Sequence, residues 1–152
     1  SQNSEAPPNG APPTVRSAKN AAAERVVGFE RVFRGKVSAE TIDALKNGFV
    51  EVMGMPIETY TETLDASRIS ALELEAELYY SGSGTLDKIA SELTSTLTLA
   101  HYEAKKVEVD RKMKEAEQEK NNSEAQQLHI QSKELGDIIY KIKHTRQLTE
   151  QQ

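Results

Sequence analysis

All five prolines of the chain lie at or before Pro56, and between Thr85 and Gln152 the only glycine is Gly136. Proline inside a helix removes a hydrogen bond and clashes with the preceding turn, and glycine costs about 1 kcal/mol relative to alanine. A stretch so depleted in both is built for long helices. The breakers that remain fall early or in clusters, and they divide the chain into three parts: an extended Pro-rich arm over 1–16, a short-helix acidic region over 17–80, and a long helical hairpin over 85–152. The expected fold is therefore all-α: short N-terminal helices, then a long antiparallel hairpin or coiled coil, with the Pro-rich arm in front.

Within the arm, Ala6-Pro7-Pro8-Asn9-Gly10 is followed by Ala11-Pro12-Pro13-Thr14, a short duplication with no core-forming residue. It reads as a polyproline-type segment. Its prolines lack P-x-x-P ligand spacing. A first helix is expected with Ser17 as N-cap and Gly35 as stop, its narrow apolar face made by Ala22, Val26, Phe29 and Phe33. A second is expected from Ser38, with Ile42, Leu45, Phe49 and Val52 at helical spacing and Gly54 to Pro56 ending it. Pro56 is then placed to open a third helix at its first position. That helix carries Ile57, Tyr60, Leu64, Ile69, Leu72, Ala76 and Tyr79, with a phase slip near Ser67.

Ser81-Gly82-Ser83-Gly84 reads as a turn. It lacks the lysine and spacing of a phosphate loop. Beyond it, Leu86, Ala90, Leu93, Leu97, Ala100, Ala104 and Val107 alternate steps of four and three, the spacing of a coiled-coil seam. Past Val107 the phase shifts to Val109, Met113 and Ala116. A turn is expected at 121–123, because Ser123-Glu124-Ala125-Gln126 fits a capping box that restarts a helix. Leu128, Leu135, Ile138, Ile139 and Ile142 form the last stripe, and Gly136 is a candidate point of close helix approach. The partly alternating stretch Leu93 to Leu99 also suits a strand, but the heptad spacing around it is longer and favours helix.

Composition excludes several classes of chemistry. There is no cysteine among the 152 residues, so disulfides and thiolate metal sites are ruled out. Hydrophobic residues make up 37% and aromatics 5%, too little for a thick multilayer core. No window approaches the apolar length of a membrane-spanning helix, and no membrane partner is expected. The formal net charge of −5 is unevenly spread: residues 1–37 carry +3, residues 38–100 carry −8, and the remainder is neutral.

His101, His129 and His144 lack ligand-pair spacing, although a hairpin would set His144 opposite His101. Glu73/Glu77, Glu40/Asp43 and Glu134/Asp137 put acids on common helix faces, the pattern that holds Mg²⁺ in all-helical nucleotide pyrophosphohydrolases. In a chain with 24 acids such pairs arise freely, and no catalytic residue, metal site or cofactor is assigned.

Three functions remain. The leading expectation is a non-enzymatic structural or assembly protein, cytoplasmic or part of a virion or scaffold. It would oligomerise with itself or dock on a larger assembly through Leu86, Leu93, Leu97, Ala100, Ala104, Val107, Leu128, Leu135, Ile138, Ile139 and Ile142. The second is a nucleic-acid accessory factor, a viral packaging or recombination component using Arg16, Lys19, Arg25, Arg31, Arg34 and Lys36. The third is the Mg²⁺-dependent hydrolase.

Overall fold

The computed structural model describes residues 15–82 and 84–150, and every regular element among them is helical. The expected Pro-rich arm lies almost wholly outside these residues. Six helices follow in order: α1 (Val15–Phe33), α2 (Ala39–Met53), α3 (Ile57–Glu62), α4 (Ala66–Tyr80), α5 (Leu86–Gln118) and α6 (Asn122–Glu150).

Helix α1 begins ahead of Ser17, so that residue is not its N-cap. Its burial also exceeds one narrow face. Ala22, Ala23, Val26, Val27, Phe29 and Phe33 are all buried, and Glu30 with them. A helix covered on several sides sits inside a core, and α1 packs between α4 and α5, with α2 at its C-terminal end. Gly28 makes this possible on the α4 side. A Cβ there would sit 2.5 Å from the carbonyl oxygen of Leu72, so only glycine allows the approach.

Helix α2 is bounded as its sequence requires. Ser38 Oγ accepts from the Thr41 N–H at 3.1 Å, and Gly54 closes the helix in the left-handed region at φ 74°. Pro56 is the N-cap of α3 rather than its first residue. The expected single third helix is in fact two. Asp65 accepts from the Arg68 N–H at 2.8 Å and starts α4 afresh, which accounts for the phase slip. Helix α3 folds back on α2: Lys46 pairs with Glu58 at 2.9 Å, and the Phe49 and Tyr60 rings meet edge-on at 5.4 Å.

Gly82, at φ 85°, turns the chain from α4 into α5. Helix α5 then serves both halves of the protein. Its first half carries Ala90, Leu93 and Leu97 into the core beside α1 and α2, and α6 packs along it. After α5 the chain reverses through Lys120, at φ 60°. Asn121 Oδ1 accepts from the Glu124 N–H at 3.2 Å, so the cap falls two residues before the expected Ser123. The reversal brings Ser132 against Asp110 and Lys143 against Glu103. Gly136 is not a tight approach point: a Cβ there would meet only Lys106 Cε, at 3.6 Å.

Candidate interaction surface

One face of α5 runs through Asp87, Ser91, Thr94, Tyr102, Lys105, Val109 and Lys112, mostly in steps of three and four. Its two halves meet different fates. Over the first half lies α2: Thr41 Oγ1 donates to Asp87 Oδ1 at 2.8 Å. Gly48 lets Thr94 in so closely that a Cβ would stand 2.7 Å from Thr94 Cγ2. These pairs rise together along both helices, so α2 runs parallel to α5. Five residues past Gly48, α2 ends at Met53, about level with Leu99.

Beyond that level the same face opens into a groove of about 470 Å³ between α5 and α6. Tyr102, Val109, Leu135 and Ile138 are its half-buried apolar floor, while Lys105, Glu108, Lys112, Gln131 and Glu134 form its rim. Lys105 Nζ lies 5.9 Å from the Tyr102 ring centroid. Glu108 is gripped by Arg111, at 3.2 Å through Nε and 2.5 Å through an Nη. That pairing holds the Glu108 carboxyl below its usual range.

Between the two helices at this level lies a polar layer. Ser132 is only 8% exposed, and its hydroxyl donates to Asp110 Oδ1 at 2.6 Å, while Lys106 Nζ donates to Oδ2 at 2.9 Å. The Ser132 bond first, and Lys106 second, lower the Asp110 pKa. Ala116 and Leu128 are buried nearer the turn.

The residues read as a single partner seam are thus divided by the fold. Leu97 is 1% exposed, and Leu93 and Ala100 are buried with it, covered by the chain's own helices. They present no free face, because the short N-terminal helices already fill that side. Leu86 and Ala104 are half-buried, and Val107, 55% exposed, points to solvent. Leu128 is buried, while Leu135, Ile138, Ile139 and Ile142 are half-buried along α6. Only Leu135 and Ile138 reach the groove floor.

The basic set is dispersed around α1. Arg31 pairs with Glu73 at 2.8 Å, Arg34 with the buried Glu30 at 3.0 Å, and Lys36 lies over Phe33. Arg25 lines a groove together with Glu75, Glu92, Tyr79, Tyr80 and Arg146. Lys19 is half-buried and near His101. The Arg16 side chain lies outside the described residues. Among the described side chains, the carboxylates of Glu73, Glu30, Glu75 and Glu92 lie among these cations.

Glu73 serves Arg31, and Glu40 and Asp43 are exposed on α2. Among the described residues no group of three or more His, Asp or Glu side chains is placed to hold a metal ion. His101 and His144 each meet an aromatic ring on their own helix, Tyr102 and Tyr140. Among the described residues no helix is long and apolar enough to cross a membrane.

One surface escaped the sequence reading. Leu74 and Leu78 of α4 are exposed, while Tyr79, expected on the buried stripe with Leu72 and Ala76, is instead 73% exposed. Their signal is a second apolar stripe, Ala71, Leu74 and Leu78, on the side of α4 opposite Leu72 and Ala76. No family model, no curated protein and no solved structure matches the chain.

Proposed function

We propose that the protein is a non-enzymatic structural or assembly component, in which α5 and α6 form a coiled-coil hairpin that engages another copy or a larger assembly. One observation carries the reading. The face of α5 that α2 covers over Asp87 to Thr94 continues past Leu99 with an apolar floor and no helix of the described chain above it. A half-buried stripe of Tyr102, Val109, Leu135 and Ile138 gains stability when another surface removes it from water, at about 25 cal/mol per Å² of apolar area. The rim of alternating lysines and glutamates supplies solubility and register, as rim charges do at helical interfaces.

Light scattering over a concentration series tests it. The expected result is a mass above that of one chain, reduced by joint Val109→Glu and Leu135→Glu substitution while circular dichroism keeps its helical signal. A single-chain mass throughout, indifferent to both substitutions, would sink the proposal.

A further inference from the structure

We propose that the occupant of the groove is the same groove of a second copy, the two α5–α6 hairpins, each an arm ending at Lys120, lying antiparallel about a twofold axis at Leu135. This deepens the assembly reading and rests on it.

The geometry of one chain sets the choice. Ser132 stands opposite Asp110, so Leu135, three residues further along α6, stands opposite residue 107 of α5. Residue 107 is also the midpoint between Tyr102 and Lys112, the two ends of the groove on α5. Leu135 therefore marks the centre of the open face, where a twofold axis would set it against the partner's Leu135.

Direction follows from α2. It lies on the same face of α5 as the groove and stops near the level of Leu99. A helix is about 10 Å across, so two parallel arms would drive the α2 helices of the two copies into each other. Reversed arms avoid this. From Tyr102 to Gln118 the uncovered part of α5 spans about 24 Å at 1.5 Å per residue. Reversed about residue 107, Gln118 falls level with the partner's residue 96, so each tip abuts the last turn of the other copy's α2.

Charge agrees with a self-complementary contact. Lys105, Glu108, Lys112 and Glu134 sum to zero on the rim. Reversal about residue 107 brings Lys112 level with the partner's Tyr102. It also sets Lys105 beside the partner's Glu108 and Val109. A twofold contact of this kind uses one patch twice, and it closes at two copies.

The absence of cysteine makes the test direct. The full chain with Leu135→Cys, oxidised in dilute solution, is expected to form a disulfide-linked dimer on a non-reducing gel. The chain with Lys120→Cys at the arm tip is expected to stay largely unlinked. Uncrosslinked Leu135→Glu should run as a single chain with unchanged helical signal, which separates loss of the contact from loss of the fold. Efficient linking through position 120 would show parallel arms and overturn the proposal. An oligomer by light scattering that links at neither position overturns this groove dimer while leaving the assembly reading standing. A single-chain mass at every concentration, unchanged by Leu135→Glu, overturns the dimer and the assembly reading together.

Discussion

The two halves of α5 differ less in composition than in company. From Leu86 to Ala100 the helix is wrapped by α1, α2 and α6, and Ala90, Leu93, Leu97 and Ala100 are buried. From Tyr102 to Gln118 the apolar residues at the same kind of spacing include Val107, exposed to solvent, and Val109, half-buried in an open groove. Periodicity marks which residues share a face. Whether that face becomes core depends on what the rest of the chain places over it.

That contrast can be broken most strongly in the first half. Leu97→Ala removes a buried side chain from a packed core and is expected to cost about 2–5 kcal/mol, read as a lowered denaturation midpoint. Gly28→Ala comes next. The added Cβ meets the Leu72 backbone rather than a yielding side chain, and a cost of about 1–3 kcal/mol is expected in the same assay.

Inside the arm the effects shrink. Ser132→Ala leaves Asp110 without its first hydrogen bond, and about 1 kcal/mol is expected. The variant should also flatten acid unfolding. Asp110 has a depressed folded-state pKa, so its contribution is present above the ordinary 3.8 and is lost as pH falls through the folded value. A chemical-denaturation series from neutral to acid pH would reveal this.

His101 sharpens the boundary between the halves. Burial, then Lys19 and Lys105, hold its pKa below 6.5. The unfolded chain therefore takes up the proton first. Stability is full above 6.5 and declines as pH drops from there towards the folded value. His101→Gln should remove that decline, and a variant that keeps it would show that another group is responsible. Last, Val107→Thr should change the unfolding free energy by no more than about 0.5 kcal/mol, since the side chain stands in solvent. A larger loss would mean that Val107 is covered in solution.

Much of the framework was legible in the residues. Ser38, Gly54 and Pro56 punctuate where the helices break, because caps and left-handed closures depend on local chemistry alone. The break at Asp65 was equally local, an aspartate capping the third residue after it, but the continuous apolar stripe around it masked the signal. The cap at Asn121 was displaced for a related reason. Asn121 and Ser123 both suit the role, and the left-handed Lys120 decides between them by setting where the turn ends.

The functional surface was less legible. Leu97 and Val109 look alike as helical apolar residues, yet one is core and the other lines a groove. The sequence by itself determined that the chain is helical, where most helices begin and end, and which residues align along each. It could do so because propensity, capping and periodicity act over a few residues. Only the tertiary structure decided that α1 is a buried central helix, that α2 stops near Leu99, and that the face beyond is open. Those outcomes depend on close approaches such as Gly28 on Leu72 and Gly48 on Thr94, between residues 44 and 46 positions apart. Short-range pattern carries no record of such distances.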